Sequence, residues 1–177
     1  MRVFGLLAFV GFLACVPLAN WMIGHVGTVC VPNGPCLIPV APGLMAPSGV
    51  LMVGFALVLR DLVQRSLGTL WGVLAIILGT LASLALAPGA LVLASGAAFL
   101  LSEFADFAVF TPLQRRGLLL AVLASSAVGL VVDSVVFLGL AFHSLDFLAG
   151  QVVGKLLAVL ISLPLVHLTR RISLSAA

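Results

Sequence analysis

Six ionisable side chains interrupt long apolar runs in this sequence: Arg60, Asp61, Glu103, Asp106, Asp133 and Lys155. A seventh, Asp146, falls in a short connection. In "GLVVDSVVFLGLAF" (129–142), Asp133 is the one charge in fourteen residues. Carboxylates accept N–H groups in bidentate fashion, amides and cations supply donors, and paired acids can act as general acid and base. In hydrocarbon each such charge costs about 2.5–3.5 kcal/mol, so these residues are expected to face a protein interior with partners. Each is a candidate for a binding site, and the plainer reading of any one is a structural ion pair.

Depth narrows the pairings. Asp133 lies about nine residues before the connection near 142–147 and Lys155 about eight after it, roughly 12 Å along each helix at 1.5 Å per residue. Asp133 and Lys155 are therefore expected to pair. Arg60 and Glu103 fall at similar depths in their own runs, while Asp61 and Arg65, four apart, form an expected structural ion pair on one helix face.

Ser95, Phe99, Ser102, Glu103, Asp106 and Phe110 recur on one helical face, as do Gln151, Lys155, Ala158 and Ser162. Faces so polar are expected to line a cavity, with Asn20 and Trp21 near its outer end; an interfacial place for Asn20 fits equally well. "VLASGAAFLLSEFADF" (92–107) aligns without gaps on "VLASSAVGLVVDSVVF" (122–137), setting Glu103 on Asp133 and Phe107 on Phe137. That echo suggests an inverted repeat. The run Gly11, Cys15, Ala19 permits close helix approach, within a bundle or in a homodimer.

The elements that position these residues follow from composition. The 177 residues are 63% hydrophobic and 7% charged, with a mean hydropathy of +1.38; soluble domains average about 45–50% and about 25%. Lipid is the solvent for most of this chain. The expected fold is an all-α integral membrane protein in one domain over 1–177. Its six transmembrane helices fall near 3–23, 48–65, 69–87, 90–112, 117–141 and 147–168, with a long outer loop at 24–47. Arg2, Arg65, Arg115, Arg116, Arg170 and Arg171 fall on one side of that arrangement, and the loops 24–47, 87–90 and 142–147 hold no Lys or Arg. Both termini are therefore expected in the cytoplasm, in the cell's inner membrane. The net charge of +3 reflects that asymmetry and not a nucleic-acid partner. Arg2 and the apolar run ending in "FLAC" resemble a cleavable signal, but cleavage would leave five spans and spoil the charge arrangement.

Cys30 and Cys36 flank turn formers in the outer loop, where an oxidising exterior permits a disulfide; two free thiols fit the same spacing. Cys15 reads as a packing residue. No phosphate loop, HExxH, GxSxG or metal-ligand pattern occurs. Glu103 or Asp106 as the base of a membrane enzyme lacks a nucleophile to act on, so no cofactor or metal is expected.

"PLAN" (17–20), "APSGVLMVGFALVLRDLVQRSLG" (46–68), "ASGAAFLLSEFADFAVFTPLQRR" (94–116) and "SSAVGLVVDSVVFLGLAFHSLDFLAGQVVGK" (125–155) together resemble the VUT, or queuosine-precursor transporter, family. The resemblance implies a six-helix importer of 7-deazaguanine precursors of queuosine, a modified tRNA base, chiefly 7-cyano-7-deazaguanine. It marks Asn20, Asp61, Glu103, Asp106, Asp133 and Lys155 as motif positions. Two features depart from that pattern: the chain is short, and Arg65 stands where an acid is expected. For such a ligand, Glu103, Asp133 and Asp106 would accept the ring donors. Lys155, Asn20, Gln151 and Arg60 would serve its carbonyl and cyano groups, and Phe99, Phe107 and Phe137 would stack on the ring. A vitamin-binding subunit that borrows an external ATPase is the alternative, and span 1 lacks a strict A-x-x-x-A run for docking one.

Overall fold

A computed structural model describes residues 2–32, 34–87 and 89–175. Six helices form the body: α1 (Arg2–His25), α2 (Val50–Leu67), α3 (Thr69–Leu86), α4 (Val92–Leu113), α5 (Leu118–Phe142) and α6 (Leu148–Ser175). Their bounds follow the apolar runs closely. The largest difference is α6, which continues past 168 and takes Arg170 and Arg171 into the helix; the side chains of that pair lie outside the described residues.

Five of the helices are long and apolar enough to cross a membrane: α1, α3, α4, α5 and residues Leu148–Thr169 of α6. Their outer faces carry Leu7, Val10, Ile77, Leu81, Leu101, Ile161 and other exposed apolar side chains. Water would penalise such a surface, whereas lipid tails match it. This is an α-helical membrane protein.

The sixth helix, α2, is the most polar and also the most enclosed. It packs against every other helix. Ala56, Leu57, Val58, Arg60, Asp61, Leu62, Val63 and Gln64 are all buried. A helix walled by protein on all sides can carry charge that a lipid-facing helix cannot. Gly54 permits a close approach to α6, since a Cβ there would lie 2.6 Å from the Lys155 carbonyl oxygen and 2.7 Å from Ala158 Cβ.

The all-α expectation needs one amendment. The segment expected as a plain outer loop holds a three-stranded antiparallel sheet: β1 (Val29–Cys30), β2 (Cys36–Ala41) and β3 (Leu44–Pro47), in that order. Pro42 and Gly43 make the β2–β3 turn, where Ala41 pairs with Leu44 and Gly43 takes φ 73°. The apolar run of "CLIPVA" is short and broken by Pro39, which hid the strand. A disulfide joins Cys30 to Cys36 at the β1–β2 turn. The sheet packs on α1 and α6, and Ser48 donates to the Met22 carbonyl at 2.7 Å, tying the start of α2 to the end of α1.

Candidate functional site

Beneath the sheet, the ends of the helices surround a cavity of about 80 Å³. Its polar wall comes from α5 and α6. Asp133 and Ser134 are neighbours on α5, and Gln151 and Lys155 stand one turn apart on α6. Lys155 is 1% exposed and spends all three ammonium hydrogens inside the protein. It donates to Asp133 Oδ2 at 2.6 Å, Ser134 Oγ at 2.8 Å and Gln151 Oε1 at 2.5 Å. The Asp133 side chain keeps 10% of its surface exposed, and its second oxygen accepts no hydrogen bond among the described residues. Asp133 thus offers an open acceptor to the cavity while Lys155 holds it in place. Asn20 faces it from α1, its amide nitrogen donating to the Val16 carbonyl at 3.0 Å and leaving its oxygen free for a cavity occupant.

The apolar wall includes Phe99 and Phe137. Phe99 is braced by Phe12, with ring centroids 5.8 Å apart, and Phe137 by Phe142 at 5.8 Å. Two supported aromatic faces and one open carboxylate oxygen suit a flat ligand with N–H groups on its edge.

A second polar cluster lies deeper, between α2, α4 and α5. Arg60 is fully buried and directs its guanidinium at three carboxyls and an amide. Nε donates to Glu103 at 3.0 Å, Nη1 to Gln64 Oε1 at 3.0 Å, and Nη2 to Asp106. Asp61 Oδ1 stands 2.9 Å from Nη1, and Ser125 on α5 donates to Asp61 Oδ2 at 3.0 Å. Phe107 and Phe110 flank the guanidinium, each ring centroid 5.8 Å from Cζ. Gln64 in turn donates to Thr111 at 3.0 Å.

The residues singled out from the sequence therefore divide. Asn20, Phe99, Asp133, Phe137, Gln151 and Lys155 line the cavity. Arg60, Glu103, Asp106 and Phe107 do not: Glu103 and Asp106 are taken up by Arg60, and Phe107 packs on its guanidinium. The expected pair of Asp61 and Arg65 is replaced by Asp61 with Arg60, because Asp61 points into the bundle while Arg65 is exposed at the end of α2. Trp21 is 55% exposed and stacks on His25, away from the cavity wall. Among the described residues, no cluster is arranged to hold a metal ion.

Gln64, Thr111, Ser125 and Ser134 were not singled out, although each completes one of the clusters. Their signal was spacing: Gln64 follows Arg60 by four residues, and Ser125 precedes Asp133 by eight on a helix otherwise almost wholly apolar.

The fold and the cavity define the class: a helical membrane protein with an enclosed polar site. The family model described as "Putative vitamin uptake transporter" matches residues 51–169, and the chain belongs to that family. The match takes in α2 to α6 up to Thr169, and so both polar clusters. No curated protein and no solved structure matches the chain.

Proposed function

We propose that this protein imports a queuosine precursor, 7-cyano-7-deazaguanine or a related 7-deazapurine, across the cytoplasmic membrane. The observation that carries the proposal is the cavity beneath the sheet, where the open oxygen of Asp133 faces a space walled by Phe99 and Phe137. A 7-deazaguanine edge carries ring N–H and amine donors for Asp133 and the Asn20 oxygen. Its carbonyl and cyano groups need the donors that the Gln151 amide and a displaced Lys155 hydrogen supply. The flat ring suits the two phenyl walls. The sequence resemblance points to the same cargo.

In this reading all six helices span the bilayer, with α2 sheltered at the centre. Both termini lie in the cytoplasm, because Arg2, Arg65, Arg115 and Arg116 cluster at the end of the bundle opposite the sheet. The cavity then lies toward the outer side, from which an importer takes its cargo, and the site binds and moves that cargo without chemistry on it. A second reading is a vitamin-binding subunit that depends on an external ATPase; the family description supports its vitamin cargo alone.

Titration of the purified protein in detergent with 7-cyano-7-deazaguanine tests the proposal. Saturable binding, weakened at least tenfold in the double variant Lys155→Met/Asp133→Asn, which keeps no unpaired charge, is the expected result. A well-folded wild-type sample that binds none overturns it. Uptake into vesicles holding this protein alone, without ATP, separates the two readings, since an ATPase-dependent subunit moves nothing there.

A further inference from the structure

The deep cluster carries a charge imbalance that packing alone does not explain. Asp61, Glu103 and Asp106 bring three carboxyls against the one guanidinium of Arg60, and none of the four residues exceeds 2% exposure. Fully ionised, the cluster would hold two uncompensated negative charges in the middle of a membrane protein, which a low-dielectric interior does not tolerate. We propose that the Arg60–Asp61–Glu103–Asp106 cluster is a proton-binding site, holding protons at neutral pH whose gain and loss accompany the transport cycle. The transport half of this inference rests on reading the chain as a carrier; the proton site itself does not.

Geometry locates the protons. The Asp61 and Asp106 carboxyls gather on the same Arg60 guanidinium, and Ser125 donates to Asp61 Oδ2 at 3.0 Å. Yet Asp106 Oδ2 accepts no hydrogen bond from any described residue, and Asp61 Oδ1 accepts none either, having only its ion pair with Arg60. Two buried carboxyls drawn to one guanidinium, with carboxyl oxygens left short of donors, leave a place that a proton fills. A second proton, on Glu103, brings the cluster to neutrality. A metal cation fits poorly, because the guanidinium of Arg60 already stands among the same oxygens.

The groups around the cluster are few. From α2 come Arg60 and Asp61, and from α4 Glu103 and Asp106. From α5 the Asp133 carboxylate acts electrostatically on Glu103, and from α1 the Cys15 thiol is the titratable group that feels it. Lys155 on α6 is held by Asp133, and α3 contributes no charged residue. Loss of the protons would leave like charges between α2, α4 and α5, favouring separation of these helices and entry of water on the side away from the cavity.

Infrared titration of the purified carrier without cargo tests the site directly. A protonated-carboxyl carbonyl band at neutral pH, lost in alkali and diminished in both Asp106→Asn and Glu103→Gln, is expected. Absence of the band from folded wild type overturns the proposal, whatever the variants do. For the link to transport, vesicles alkaline inside by one pH unit, at equal sodium, are loaded from outside with labelled 7-cyano-7-deazaguanine. Each proton carried per molecule permits about tenfold accumulation, abolished by a protonophore. Accumulation that ignores the pH gradient, or follows a sodium gradient, overturns the link. Vesicles that take up none of this cargo while the band titrates refute the cargo assignment and leave the proton site supported.

Discussion

Lys155 Nζ lies 2.6 Å from Asp133 Oδ2, joining α6 to α5 at the wall of the cavity. The ammonium is 1% exposed, so neither charge is tolerable without the other. Replacing Lys155 with Met strands the aspartate and is expected to destabilise the fold by about 3 kcal/mol or more. The double variant Lys155→Met/Asp133→Asn removes both charges and is expected to recover most of that loss. Unfolding in detergent, followed for wild type, both single variants and the double, gives the coupling energy. A double variant no better than Lys155→Met would show that the pair is not a unit.

Gly54 makes a second prediction without touching any polar group. An added Cβ would fall 2.6 Å from the Lys155 carbonyl oxygen, a backbone atom that cannot turn aside. Gly54→Ala is therefore expected to push α2 from α6, costing about 1–3 kcal/mol and disturbing the cavity wall that Lys155 supports. Gly139→Ala is the control, because a Cβ there meets nothing within 4 Å. The melting temperature is expected to fall for Gly54→Ala and to hold or rise slightly for Gly139→Ala.

Arg60 and Arg65 stand five residues apart on one helix and are expected to behave oppositely. Arg60 is fully buried among three carboxyls, and Arg65 is exposed. Arg60→Gln leaves those acids without a counter-charge and is expected to cost about 3–5 kcal/mol, or to abolish folded protein. Arg65→Gln is expected to change stability by less than about 1 kcal/mol. Comparable losses in melting experiments on the two variants would contradict this placement.

The same two arginines mark how far the sequence could be read. Helix existence and extent were legible, because long apolar runs and short polar connections leave little choice in a bilayer. The pairing of Lys155 with Asp133 was legible too, from equal depth on two helices joined by a short connection. What sequence alone could not supply was which face of α2 meets protein. The rule that residues four apart share a face put Asp61 with Arg65, but α2 is enclosed on every side, so its charges need not share one face. Arg60 then reaches its own neighbour, Asp61, as well as Glu103 and Asp106 on α4. Glu103 looked like a cavity acid for the same reason: the helical face it shares with Phe99 is lined by cavity at Phe99 and by α2 one turn deeper.

The disulfide between Cys30 and Cys36 closes a turn with a sequence separation of 6. A loop this short restricts the unfolded chain modestly, by about 2 kcal/mol in the chain-entropy view. Cys30→Ser/Cys36→Ser is expected to lower the melting temperature by a few degrees, as is reductant on the wild type, with no added effect of reductant on the variant. Because β3 leads through Pro47 into the cavity wall, weaker cargo binding is expected to accompany the loss. A wild type whose melting is insensitive to reductant would deny the bridge a structural role.

Phe99 and Phe137 carry the last prediction, which concerns the shape of the cargo. Both rings line the cavity and each is held by a second phenylalanine, so their faces are fixed before anything binds. Replacing an aromatic wall with Leu keeps much of the apolar volume and removes the stacking surface, worth about 0.5–1.5 kcal/mol per ring. Phe99→Leu and Phe137→Leu are each expected to weaken 7-cyano-7-deazaguanine binding about two- to twelvefold, the range to which that energy corresponds. Phe104→Leu provides the comparison, since Phe104 is 44% exposed on the outer face of α4 and lies off the cavity. Calorimetric titration of the three variants decides the matter. Equal affinities throughout would mean that the cargo does not lie between the two rings, and a flat purine-like ligand would lose its main support.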